Sequence, residues 1–305
     1  MERKLIRQGK GGLTIYLPKK WIDKKNLTES DTVNVEEDEE NLIVGSKKNK
    51  KQEIEIDINE ENRKDLKPLL THLYREGFSK IVVKNTDKNS LKIIKELVKN
   101  LLMGFEIVSA SKDACVLENI SEPTENRYDA MIRKVFLSIT ETQEFIRDSF
   151  EKNSFKDIGE IEDLRNSTDR FVLFCRRLIS QRIHSKNPLL EWELLTFLTH
   201  IQHSYYYLYK YAGKSEISKE KELIFLLSEL EMYFKLFQKS YLEKDIYSIH
   251  KINSSREKYH QGVILKDLEK STKSRTVVLS YLREIFRLIQ LGTSPILSMA
   301  LKERH

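Results

Sequence analysis

Three patterns of apolar and polar positions follow one another along the chain. Up to about Gly45, short apolar segments alternate with turn residues. LTIYL (Leu13 to Leu17) and TVNVEE (Thr32 to Glu37) alternate at period two, and LIVG (Leu42 to Gly45) is short and apolar, so each predicts a strand. From Glu53 to Glu122 the period switches between two and 3.6. IEIDI predicts a strand, the segment containing LLTHLYREG (Leu69 to Gly77) a helix closed by glycine, and KIVVKN (Lys80 to Asn85) a strand. LKIIKELVKNLLMG (Leu91 to Gly104) predicts an amphipathic helix, and FEIVSASKDACVLENI two strands joined at Lys112 and Asp113. From Thr124 to His305 the pattern is almost wholly helical. Tyr128, Ile132, Val135, Phe136, Ile139, Phe145, Ile146 and Phe150 recur at three and four and form one stripe to be buried. Similar stripes run through FVLFCRRLI, LLEWELLTFLTHI, LIFLLSELEMYFKLF and VVLSYLREIFRLIQL, with breaks expected at HSKNP, AGKSEIS and GTSP. Five or six long antiparallel helices with short loops make a bundle, and breaks this frequent disfavour a continuous coiled coil.

These patterns divide the chain into residues 1–46, 53–122 and 124–305, with SKKNKKQ (Ser46 to Gln52) as a charged linker. The fold class is multidomain α+β: a small N-terminal β domain, a central α/β sandwich and a C-terminal helical bundle. A length of 305 residues accommodates two or three domains. A segment of under about 50 residues buries its own sheet poorly, so the first domain is expected to lean on a partner chain. Hydrophobic residues at 39% and charged residues at 33% describe a globular chain with a polar surface. The start MERKLIRQGK lacks the apolar core of a signal peptide, and no apolar run reaches the ~18 residues of a membrane span. A cytoplasmic protein without membrane insertion is therefore expected. The two cysteines, Cys115 and Cys175, carry no spacing pattern and read as small buried hydrophobes in a reducing compartment.

The net charge of +6 becomes informative once it is located. RKLIRQGKGGLTIYLPKKWI (Arg3 to Ile22) gathers six basic residues around Gly9, Gly11 and Gly12, which supply the positive φ of a tight connection, and a Leu-Pro pair. Such lysines neutralise phosphates and release counterions. The bland alternative is that Lys19, Lys20, Lys24 and Lys25 only solvate a helix surface.

Two resemblances follow from these stretches. Arg3 and Lys4, GKGGLTIYLPKKWI (Gly9 to Ile22) and LTESDTVNVEEDEENLIV (Leu27 to Val44) resemble the swapped-hairpin DNA-binding domain of the AbrB, MazE and SpoVT group. That resemblance implies two interlocked chains forming one β-barrel, a homodimer on duplex DNA, with Arg3, Lys4, Lys10, Lys19 and Lys20 at the DNA. Lysine is a point charge without arginine's bidentate grip on guanine, so phosphate contact is the expectation. LYREGFSKIVVKN, DRFVLFCRRLI, LLEWELLTFLTHIQHSYYYLYKYA and SYLREIFRLIQLGTSPILSMAL resemble PhoU, the helical-bundle regulator of phosphate uptake, in the form fused behind an AbrB-like domain. That implies a non-enzymatic protein whose partners include phosphate transporter or sensor kinase components. PhoU proteins hold metal clusters on carboxylates spaced ExxxD. Here Arg165 with Asp169 and Thr199 with His203 stand at those positions, so no metal or other cofactor is expected.

The remaining candidates are weaker. His200 and His203 at i and i+3 suit a transition metal or, more ordinarily, a hydrogen-bonded interior pair. YYYLYKY (Tyr205 to Tyr211) lies on all sides of a helix and is read as packing rather than as a base-stacking platform. Glu191 and Glu193 flank Trp192 without a nucleophile or paired base, and neither GxSxG nor a phosphate loop is present. No catalytic residue is assigned. The expected function is a dimeric DNA-binding transcriptional regulator linked to phosphate uptake or signalling. The alternatives are a scaffold that docks a transporter or kinase, with the N-terminal domain as dimeriser, and an antitoxin-like protein.

Overall fold

A computed structural model describes residues 2–9, 11–38, 41–46, 52–111, 113–121, 126–183, 187–215, 217 and 220–303. It is a mixed α+β structure in two compact units, residues 1–51 and 52–305. The second unit contains both of the parts expected at 53–122 and 124–305.

The first unit holds two hairpins and a short helix. Strands β1 (Ile6–Gln8) and β2 (Gly12–Thr14) pair antiparallel with Gln8 opposite Gly12, and Thr14 Oγ1 donates to the Ile6 carbonyl. Of the glycines between them, Gly9 takes the positive φ, +67°. The predicted strand Leu13 to Leu17 stops at Thr14, so the alternation continues past the last paired residue. Helix α1 (Lys19–Lys25) follows Pro18 and ends at Asn26 in the left-handed conformation. The Asp31 carboxylate then accepts from the Thr28 N–H and hydroxyl and fixes the turn into the second hairpin, β3 (Val33–Asp38) and β4 (Asn41–Ser46). The β-sheets of this chain are two-stranded hairpins here, and a closed barrel is not formed among the described residues. No described side chain of this unit is buried; Leu13, Tyr16 and Leu42 are each more than 60% exposed.

The second unit opens with a four-stranded sheet of order β5-β6-β8-β7, in which β5 (Glu53–Asp57) runs parallel to β6 (Lys80–Lys84) and the other pairs are antiparallel. Strands β7 (Phe105–Ala110) and β8 (Ala114–Asn119) form the predicted hairpin; the expected turn residue Lys112 lies outside the described residues. Period-two alternation divides the sheet's faces. Ile81, Val83, Cys115 and Leu117 are buried against α2 (Leu66–Arg75) and α3 (Lys88–Asn100), whose Leu66, Leu70, Tyr74, Ile94 and Leu97 recur at helical spacing. The opposite face carries a ladder of ion pairs, Lys80 with Glu53 and Glu118 and Lys84 with Glu55. Helices therefore cover one face only. A bulge between Ile107 and Ser109 interrupts β7.

Five long helices form the rest: α4 (Asn126–Lys152), α5 (Ile158–Ser180), α6 (Pro188–Ala212), α7 (Lys221–Leu242) and α10 (Lys273–Lys302). Between the last two lie α8 (Ile246–Ser254), one wider π-type segment (Glu257–Val263) and α9 (Ile264–Lys270). Of the predicted α4 stripe, every member is buried except Phe145, which is half-buried. Each fully buried large apolar side chain contributes about 1.5–3 kcal/mol relative to exposure, so this stripe dominates the local energetics. The break expected at GTSP does not occur, because α10 runs through Pro295. Leu288, Ile289, Ile296, Met299 and Ala300 are buried on both sides of the proline, and this packing outweighs one lost backbone hydrogen bond. Gly292 lets α10 approach so closely that a Cβ there would lie 2.8 Å from Phe237 Cζ.

The α/β layer is joined to the bundle at one seam. The end of α5 supplies donors to the carbonyls that close α2: Arg177 Nη1 to Tyr74 at 2.6 Å, Ser180 Oγ to Arg75, and Gln181 Nε2 to Gly77 at 3.2 Å. The last carbonyls of a helix have no intrahelical partner and attract cations, so these donors meet a requirement that α2 cannot meet itself. Arg177 is almost fully buried, and its guanidinium lies 4.9 Å and 5.0 Å from the ring centroids of Tyr74 and Phe105.

Candidate functional site

In the first unit the predicted basic positions are exposed. Arg3 and Lys4 precede β1, and Lys19 and Lys20 open α1; Lys10 lies outside the described residues. The first turn of α1 contains no acidic residue, and Lys24 and Lys25 lie in its last turn. Cations favour a helix C-terminus and oppose the peptide dipole at the N-terminus. Lys24 and Lys25 thus have a stabilising position, whereas Lys19 and Lys20 do not. Basic charge held at an unfavourable helix position and open to solvent is available to an external anion.

Three polar clusters of the second unit bear on function. The first lies between α5 and α6, where Asp169 Oδ1 and His203 Nε2 meet at 2.9 Å. Of the other residues named for this pair of helices, Arg165 lies over the Tyr206 ring at 4.4 Å, Thr199 Oγ1 donates to the Leu195 carbonyl, and His200 is exposed. His200 and His203 therefore do not converge. One carboxylate engaged by one imidazole does not fit the carboxylate-bridged cluster that the PhoU resemblance implies, since hard cations need several carboxylate oxygens. Among the described residues there is no group of three or more His, Cys, Asp or Glu side chains arranged to hold a metal ion.

The second cluster surrounds Glu191. Its carboxylate accepts from the phenols of Tyr128, at 2.5 Å, and Tyr241, at 3.1 Å. Burial, with the neighbouring carboxylate charge, pushes both phenols well up and keeps them protonated donors. A cleft of about 340 Å³ adjoins it, lined in part by Asp129, Arg133, Lys244 and Glu303, of which the last two form an ion pair. Burial also pushes the Cys115 and Cys175 thiols up; both cysteines are buried and free. The third cluster joins Arg75, Arg176 and Trp192 where α2 meets α5 and α6.

Sequence reasoning named Glu191 and Trp192 but neither of their surroundings. Tyr128 and Tyr241 are 63 and 50 residues from Glu191, and no local spacing joins them. The tyrosine run behaves as expected, with Tyr205, Tyr206 and Tyr209 buried and Tyr207 exposed. No helix of the described residues is long and apolar enough to cross a membrane. No protein-family model matches the chain, and no match was found among curated proteins or solved structures.

Proposed function

We propose that this protein is a dimeric, DNA-binding transcriptional regulator, not an enzyme, whose AbrB-like first unit grips duplex DNA while a PhoU-like helical body relays a phosphate-related state. The observation that carries this reading is the exposed Lys19–Lys20 pair at the start of α1, set in a unit without a buried side chain among the described residues. The uncovered Leu13, Tyr16 and Leu42 support pairing with a second copy. Pairing doubles the number of phosphate contacts, and each contact adds about 0.9 to the slope of log affinity against log salt.

The test is fluorescence anisotropy of the full-length protein on mixed-sequence duplex DNA across a salt series. A steep slope is expected. Lys19→Glu with Lys20→Glu is expected to remove four contacts from the dimer and flatten the slope by about 3.6. Absence of binding at low salt refutes the regulator reading and leaves the first unit as a dimeriser for a scaffold.

A further inference from the structure

Arg75 is the last residue of α2, Arg176 lies in α5 and Trp192 lies near the start of α6. The two guanidinium carbons stand 5.4 Å and 5.2 Å from the centroid of the same indole. Stacking on an aromatic ring holds a guanidinium plane and leaves its N–H edge to choose a partner. The partners found are not carboxylates. Arg176 Nη2 donates to Thr196 Oγ1 at 2.9 Å, and Arg75 Nη2 meets His72 Nδ1. Neither arginine is ion-paired with a carboxylate among the described residues, whereas Arg147 pairs with Glu231, Arg275 with Glu220 and Asp267, and Arg287 with Glu284.

Two further facts mark the pair as incomplete. The Nε atoms of both arginines are shielded from solvent and have no hydrogen-bond partner. Burial first, and the charge of Arg75 second, push Arg176 down to about 10; Asp169, engaged by His203, offsets this only in part. Two guanidinium groups are thus held against one indole ring by the packing of three helices, with donors left over and no carboxylate ion-paired to either among the described residues. An isolated buried charge is costly unless it is paired, and a tetrahedral oxyanion supplies the charge and the acceptors that are missing, in the geometry that arginine forks recognise.

We propose that Arg75 and Arg176, flanking Trp192 at the junction of α2, α5 and α6, form a binding site for a phosphate-type oxyanion. This deepens the regulator reading by giving the helical body a ligand. It is measured without DNA, so either reading fails alone. The site lies where the end of α5 caps α2, so occupancy tightens the seam between the α/β layer and the bundle.

The experiment follows Trp192 fluorescence in full-length protein carrying Trp21→Phe, which silences the other tryptophan in the first unit. Inorganic phosphate and adenosine monophosphate are titrated separately at constant ionic strength with chloride. A saturable change with either probe, weakened at least tenfold in both Arg176→Gln and Arg75→Gln, is the expected result. A response to the nucleotide alone assigns the site to a phosphoryl group carried on a larger molecule. Arg176→Lys, which keeps the charge but loses the fork, is expected to weaken binding less than Arg176→Gln. Thermal melting of each variant shows whether it is folded, and Arg75→Gln, at a half-buried helix end, keeps the test open if Arg176→Gln is not. No saturable change with either probe, or equal titrations in folded variants, overturns the proposal.

Discussion

The two units bury their side chains to opposite extents. Residues 1–51 have the apolar alternation of strands yet contain no buried side chain among those described, whereas residues 52–305 bury two apolar clusters and hydrogen-bonded polar pairs such as Tyr128 with Glu191 and Gln143 with Tyr205. Similar apolar residue types occur in both. The difference lies in chain length and connectivity: the second unit places a covering helix over each apolar face, while the first has one helix of seven residues for two hairpins. The apolar pattern of the first unit consequently lies on an exposed surface among the described residues.

The largest effect that tests this contrast is alkaline unfolding of the second unit. Tyr74, Tyr128, Tyr205 and Tyr233 are buried, and burial raises the pKa of each phenol above its ordinary value. A raised phenol retains its proton in the folded chain after the unfolded chain has lost it. Stability is therefore full below the unfolded value of about 10 and falls as pH rises beyond it, by about 1.4 kcal/mol per pH unit for each tyrosine. Arg176, pushed down to about 10, has the opposite sign and offsets about one of the four. Urea midpoints at pH 9, 10 and 11 measure the slope, and a flat profile contradicts the burial of these phenols.

Arg177→Ala comes next. It removes the donor to the Tyr74 carbonyl and the packing against Tyr74 and Phe105, and is expected to destabilise the second unit by about 3 kcal/mol in equilibrium denaturation. A loss below about 0.5 kcal/mol would show that the seam does not depend on this side chain. The smallest effect on the second unit is expected from Leu13→Glu combined with Leu42→Glu. These substitutions are expected to leave its melting within the range of ordinary surface changes, about 0.5 kcal/mol, but to convert the proposed dimer to monomer in sedimentation velocity. A variant that stays dimeric locates self-association outside the first unit.

Local patterns were legible in the sequence wherever one element's periodicity determined burial. The α4 stripe and the alternation of β6 fall in this group, because helix or strand geometry alone assigns those side chains to a face. The end of β2 was overextended since alternation persists beyond Thr14, where pairing stops. GTSP was read as a break since proline's local cost is visible in sequence, while the contacts made by Phe237 with Gly292 are not. The basic stretch around α1 was legible by composition. Arg75, Arg176 and Trp192 were not, because they come from three helices and only tertiary packing brings them to one ring.

Among the described residues the sheet of the second unit has β5 and β7 at its edges. Exposed edges recruit strands from other molecules and seed aggregation. Edge strand β5 alternates Glu53, Glu55 and Asp57 with its apolar residues, so a second copy laid alongside would bring carboxylates together. At the other edge the bulge between Ile107 and Ser109 breaks the regular row of donors and acceptors that an incoming strand would need. Both edges of this sheet thus carry features that disfavour an added strand.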